Sequence, residues 1–230
     1  MKVALFDFCE TLVNFQTADY FVEYTLKKYQ QNRFYQCLVD NRNIDLFLAK
    51  HWMFRKKLHL YQMKGLTKKQ IDFAAEEFYQ KYIVPNQFPS MNNLIREYKE
   101  RDYEVYIVSG GYEPYIRYYA LENNIDGIIA NEFLYNTKNI FSGLLTQKDC
   151  MGKEKVIRLN QVFNRVQIEK SVSYSDSLSD LPILKWADKG VLVSKYKERK
   201  SAKENYLEQI VLSFLEENQK VKFEFEGIID

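Results

Sequence analysis

The sequence has little of what would assign it at a glance. Its three cysteines, Cys9, Cys37 and Cys150, are odd in number and far apart in 230 residues. That excludes a disulfide framework and fits reduced thiols. The two histidines, His51 and His59, stand beside Trp52 and Leu58 with no cysteine or carboxylate pattern for zinc, so a packing or surface role is expected. No excess of one charge exists either: 33 basic and 31 acidic residues leave a formal +2. Spread along the chain, they make no electrostatic footprint for nucleic acid. No stretch reaches the roughly 20 apolar residues needed to span a bilayer, and Val3-Ala4-Leu5-Phe6 is too short for the apolar region of a signal peptide. Repeats and low-complexity segments are missing as well. These absences predict a soluble cytoplasmic protein with neither a membrane nor a nucleic acid as partner, and no pattern speaks to its oligomeric state.

With 46% hydrophobic and 28% charged residues, the chain is long enough for one sizeable core, or for a core domain carrying a smaller inserted one. Lys2 to Phe8 has the continuous apolar character of a strand buried on both faces, and similar runs recur at Glu104 to Val108 and Ser171 to Tyr174. Helical patterns at Met91 to Arg101 and Lys155 to Phe163 fall between them. This alternation predicts an α/β fold with a Rossmann-like parallel sheet, in which ligands gather at the carboxyl ends of strands.

From Thr17 to about Tyr82 the spacing is helical throughout, marked by Phe21, Tyr24 and Leu26 and later by Ile71, Phe73, Ala74 and Phe78. We expect an inserted helical module over 17–85, dividing a core formed by 1–16 and 86–230. Thr67 caps a helix over Lys68 to Tyr82, and Pro85 and Pro89 punctuate the return to the sheet. The aromatics of the insert, including Phe54 and Tyr61, are expected mostly in the core. Short strands are expected around Gly127 and Gly143, and Val221 to Asp230 reads as an edge strand or a contact surface.

The residues with chemical potential sit where these strands end. Asp7 closes the first strand, and a charge placed there without a partner is costly. Asp176 and Asp180 follow the strand ending at Tyr174, with a spacing that lets both face one point. Three carboxylates at strand ends invite a hard cation, and Mg2+, which takes oxygen ligands and keeps waters, is the natural candidate. The glycines of Ser109-Gly110-Gly111 let backbone amides approach an anion ahead of a helix starting near Pro114. Lys153 and Lys155 begin another helix, from which one of them can serve as the cationic partner of a phosphoryl group.

These four motifs, in this order, resemble those of haloacid dehalogenase superfamily phosphatases, in particular the phosphoserine phosphatase branch with its helical cap. The resemblance covers nearly the whole chain. It implies that Asp7 is the nucleophile that becomes phosphorylated, that Ser109 holds a phosphoryl oxygen, and that Asp176 and Asp180 bind or position magnesium. The Asp7 carboxylate and the Cys9 backbone carbonyl complete the metal's expected neighbours. Phosphoserine phosphatases favour Lys153 as the phosphate-neutralising residue; other members of the branch favour Lys155. In related caps, residues just after the first motif select the substrate, which singles out Gln16 and Asp19. The implied partner is a small phosphorylated metabolite.

One position departs from the pattern. The family's first motif reads Asp-x-Asp-Gly-Thr, and here it is Asp7-Phe8-Cys9-Glu10-Thr11. The missing second aspartate usually protonates the leaving group and then activates water. A thiol, with a reference pKa near 8.5, is a weaker acid than a carboxyl near 3.9. Losing such help typically costs roughly 10²- to 10⁴-fold. Cys9 reads equally well as an inert core residue, and Glu10, its neighbour in an expected extended segment, is expected to point away.

Overall fold

The computed structural model describes residues 1–29, 52–193 and 221–222. At its centre lies β1 (Lys2–Phe6), whose Val3, Ala4, Leu5 and Phe6 are wholly enclosed. It pairs in parallel with β2 (Tyr103–Tyr112), which pairs in turn with β3 (Gly127–Asn131). A separate antiparallel hairpin follows, β4 (Phe133–Tyr135) and β5 (Phe141–Leu145). On the other side of β1 lie β6 (Lys170–Ser175), β7 (Lys189–Leu192) and the short β8 (Val221–Lys222). The sheet order is β3-β2-β1-β6-β7-β8, every pairing parallel. This is the expected α/β core. Val221 and Lys222 form its edge strand; residues 223–230, like Cys37 and His51, lie outside the described residues.

Between β1 and β2 the described chain is helical: α1 (Thr17–Tyr29), α2 (Trp52–Tyr61), α3 (Lys68–Phe78) and α4 (Pro89–Glu100). Thr67 caps α3 as its sequence predicts, accepting from the Gln70 amide while Gln70 Oε1 accepts from the Thr67 amide at 2.9 Å. Such reciprocal capping satisfies two otherwise orphaned donors. The α-helix ends earlier than expected, at Phe78, and a π-turn over Tyr79–Ile83 carries the chain to Pro85. The remaining helices, α5 (Glu113–Glu122), α6 (Lys153–Val162) and α7 (Leu181–Trp186), flank the sheet.

Helices α1 and α3 share one apolar interior with the sheet and with α5. Phe78 on α3 packs against Phe21 on α1 and Tyr115 on α5 with ring centroids 5.4 Å apart in each case, and Phe21 lies 5.1 Å from Tyr115. The hairpin joins the same unit: the Gly65 amide donates to the Phe141 carbonyl at 3.0 Å, and the Phe141 amide returns to the Leu66 carbonyl at 2.8 Å. Phe54 and Tyr61 on α2 depart from expectation, being 54% and 47% exposed. Their face of α2 is turned from this interior, which is filled by Phe21, Phe78, Leu60 and Met63.

Because Phe78 packs against both Phe21 and Tyr115, Phe78→Ala should destabilise the protein by about 3–5 kcal/mol through lost burial and an unfilled cavity. Urea unfolding checks this, and a loss below about 1 kcal/mol would show that the seam contributes little.

Candidate active site

The parallel register explains why distant motifs meet. Phe6 is level with Ile107 on β2 and with Tyr174 on β6. Asp7, just beyond Phe6, therefore lies between the ends of two neighbouring strands, where Ser109 and Asp176 stand close to those aligned positions. Its amide continues the pairing, donating to the Tyr174 carbonyl at 2.9 Å. The three residues line a cleft of about 270 Å3, together with Cys9, Gly110, Gly111, Lys155 and Asp180 and with Gln16 and Asp19 from the start of the insert.

Lys155 is the hub of this cleft. It is buried, and its Nζ donates to Asp7 Oδ1 at 2.7 Å and to Asp180 Oδ2 at 2.6 Å. Asp180 Oδ2 also accepts from Ser175 Oγ at 2.7 Å. Burial pulls the Lys155 pKa down, but Asp7 and Asp180 outweigh it and hold the ammonium above its ordinary range. Of the two lysines Lys155 lines the cleft; Lys153, at the first turn of α6, is exposed and lines no part of it, because a two-residue step on a helix turns it away from Lys155.

The carboxyls of the cleft, which Arg55 and Lys56 also line, are shifted chiefly by their burial. Burial pushes the Asp7 carboxyl up to about 6 against the pull of Lys155. Asp176 is pushed up to about 7, first by burial and then by the charges of Asp7 and Glu10. Its partner is Thr11, whose Oγ1 donates to Asp176 Oδ1 at 3.2 Å and accepts from the Asp176 amide at 3.1 Å. Asp7 and Asp176 therefore form an oxygen-rich pair of buried carboxyls. Asp180, committed to Lys155 and Ser175, is placed to fix the lysine.

Ser109 is buried, and its Oγ accepts from the Gly111 amide at 3.0 Å. Neither glycine has room for a side chain: a Cβ on Gly110 would lie 2.8 Å from Met151 Cγ, and one on Gly111 would lie 2.7 Å from the Tyr115 hydroxyl. Cys9 is nearly enclosed, and burial with the nearby Asp7 charge pushes its thiol up to about 11, so it is neutral at pH 7. Its Sγ lies 3.1 Å from Thr17 Oγ1, which lies 2.6 Å from the Tyr115 hydroxyl, which accepts from the Tyr112 amide at 3.0 Å. Glu10 contradicts the extended geometry expected for it. It has φ of +56°, the left-handed region that favours glycine, at the position where the family motif carries glycine. Its Oε2 accepts from Gln16 Nε2 at 2.6 Å.

A family model described as haloacid dehalogenase-like hydrolase matches residues 4–185. The chain belongs to this family. As a haloacid dehalogenase-like hydrolase it is similar to a histidinol-phosphatase from Neisseria meningitidis serogroup C (strain 8013), 26% identical over 222 residues, covering 88% of this chain and 95% of that one. A solved protein of unknown function from Bordetella pertussis Tohama I matches its structure with a TM-score of 0.71 at 18% identity, covering 91% of this chain and 95% of that one. A phosphoserine phosphatase in its apo form matches with a TM-score of 0.58 at 19% identity, covering 84% and 86%. The chain is thus a haloacid dehalogenase-like hydrolase with the fold of these neighbours.

Several of this hydrolase's site residues escaped sequence reasoning. Ser175 and Thr11 adjoin motif residues and were findable as small hydroxyls beside a carboxylate. Thr17, Tyr115 and Lys56 belong to helices whose patterns signal packing alone. His59 was expected to pack or lie at the surface; it is buried, with Nδ1 3.3 Å from Asp19 Oδ1.

The raised carboxyls set a sign for stability against pH. An unfolded aspartate ionises near pH 4, while Asp7 and Asp176 hold their protons to about 6 and 7. The native state therefore binds more protons between those limits, and these groups reduce stability as pH rises through that window. In metal-free protein, Asp176→Asn should become progressively more stabilising relative to wild type from pH 4 to pH 7.5. Thermal melts across this range test it, and a pH-independent difference would contradict it.

Proposed function

We propose that the chain is a Mg2+-dependent phosphatase acting on a small phosphomonoester through a phosphorylated Asp7. The observation that carries this reading is the buried Asp7 carboxylate held by Lys155 at 2.7 Å, beside Ser109 and Asp176 in one cleft. Among the described residues no cluster of three or more acidic, histidine or cysteine side chains has metal-site geometry. Magnesium needs fewer, because it binds through one or two carboxylates and keeps several waters. Asp7 and Asp176, carboxyls raised first by burial and then by neighbouring carboxylates, fit it, with the Cys9 carbonyl as a further oxygen donor. When bound, the ion neutralises phosphoryl and carboxylate charge.

The chain's own residues supply the rest. Ser109 and the glycine amides receive the phosphoryl oxygens, and Lys155 neutralises charge while fixing Asp7. An Asp7 oxygen attacks phosphorus in line, the bond to the leaving oxygen breaks, and that oxygen takes a proton. Covalent catalysis of this kind divides one hard displacement into two easier ones. Water then attacks the same phosphorus and releases Asp7.

The proton steps fall to Cys9. With the Tyr112 amide donating to Tyr115, a consistent order runs from the Tyr115 hydroxyl to Thr17 and from Thr17 to Cys9 Sγ, which leaves the Cys9 proton for the cleft. A thiol held up to about 11 is a poor proton donor to a departing alkoxide, and where the leaving oxygen departs without that proton the thiol stays neutral and is no base for water. This favours a second reading, in which phosphate stays on Asp7, is passed to an alcohol, or is bound with little turnover.

Gln16 and Asp19 line the same cleft and are the proposed selectors of the alcohol portion. Histidinol phosphate and phosphoserine, suggested by the relatives' names, therefore belong in a test panel with a phenolic phosphate. With Mg2+, wild type should release phosphate from at least one ester, Asp7→Asn should abolish release, and Cys9→Asp should raise kcat by about 10²-fold or more. No release by wild type or by Cys9→Asp would reject the phosphatase reading for these esters. Phosphate appearing on an added alcohol would favour the second reading.

A further inference from the structure

Lys56, on α2 of the insert, lines the catalytic cleft as an apparent second cation for substrate. Its contacts assign it differently. Nζ donates to the Gly110 carbonyl at 2.9 Å and lies 2.8 Å from each oxygen of Asp149. An ammonium has three donors, and these partners occupy them. The side chain is 11% exposed.

The same two acceptors are held a second time. Asn131, at the end of β3, donates through Nδ2 to the Gly110 carbonyl at 2.8 Å and to Asp149 Oδ1 at 2.6 Å. Its own Oδ1 accepts from the Cys150 amide at 2.8 Å, which fixes the amide's orientation and anchors the loop carrying Asp149. Two donors, one of them charged, therefore grip a single carbonyl of the anion-binding loop. The peptide that begins with this carbonyl ends in the Gly111 N–H, and that N–H points to Ser109 Oγ. Pulling on the carbonyl aims the positive end of the peptide dipole at Ser109 and the cleft, and charge-assisted donation strengthens the amide as a donor.

We propose that Lys56, with Asn131 and Asp149, is a positioning residue that orients and polarises the Gly110–Gly111 peptide for the phosphoryl group. A residue of the insert thereby completes the anion site of the sheet domain. This inference rests on the phosphatase reading of the cleft, but the peptide geometry is testable without it.

The experiment compares wild type, Lys56→Met, Lys56→Arg, Asp149→Asn and the Lys56→Met/Asp149→Asn double variant of the full chain. In metal-free protein, the Gly110 and Gly111 amide resonances should shift in Lys56→Met, and Lys56→Arg should restore them part of the way. With Mg2+, Lys56→Met should lower kcat/KM by about 10- to 100-fold, the scale of misplacing a reacting group. The loss should be similar for phenolic and alkyl phosphates, inorganic phosphate should inhibit more weakly, and the double variant should lose less than the product of the single losses. Unmoved glycine resonances in a folded Lys56→Met protein would overturn the proposal. So would a loss confined to one leaving group with phosphate inhibition unchanged, which would make Lys56 a substrate contact. If wild type hydrolyses no ester, the phosphatase reading fails alone, and the resonances still decide the orientation of the peptide.

Discussion

The site depends on one buried ammonium shared by two carboxylates. Lys155 crosses from α6 to hold Asp7 and Asp180, side chains that come from the ends of β1 and from the turn after β6. Burying an ion is costly unless partners and hydrogen bonds compensate it. Here the compensation is divided: Asp180 is satisfied by Lys155 and Ser175, and Asp7 by Lys155 and the Phe8 backbone. The result is a buried carboxylate fixed in direction, as the proposed nucleophile requires.

That arrangement is a consequence of strand order. With β1 between β2 and β6, residues just beyond aligned positions converge however far apart they lie in sequence. The sheet itself was legible because strands buried on both faces read as continuous apolar runs, and Asp7, Ser109, Asp176 and Asp180 were legible because each interrupts or follows such a run with a small or acidic residue. Which of Lys153 and Lys155 lines the cleft was not legible. It turns on the rotation of one helix, which side-chain type and spacing from a neighbouring motif do not fix.

What stayed hidden shares a physical cause. Lys56 is one of many cations on helices of the insert, and only its tertiary position brings its ammonium to the Gly110 carbonyl. Thr17 and Tyr115 look like ordinary helix residues until Cys9 is placed beside them. The exposure of Phe54 and Tyr61 was likewise invisible, since helical spacing shows that a face is apolar without showing what covers it. Glu10 is instructive in the opposite direction: an extended strand was expected to continue through it, yet the turn that carries Cys9 into the cleft requires a left-handed residue there.

In the proposed mechanism Cys9 decides how the hydrolase uses this site. With a leaving group that departs without a proton, the thiol beside Thr17 stays neutral, so attack by Asp7 would lack an efficient second step. The most direct measurement is to quench wild type, Cys9→Asp and Asp7→Asn during incubation with Mg2+ and a phenolic phosphate, then map any covalent phosphoryl group by peptide mass. The account predicts a phosphoryl group on the peptide containing Asp7 in wild type, less of it at steady state in Cys9→Asp, and none in Asp7→Asn. Phosphate released by wild type with no labelled peptide, or with the label on a residue other than Asp7, would contradict it.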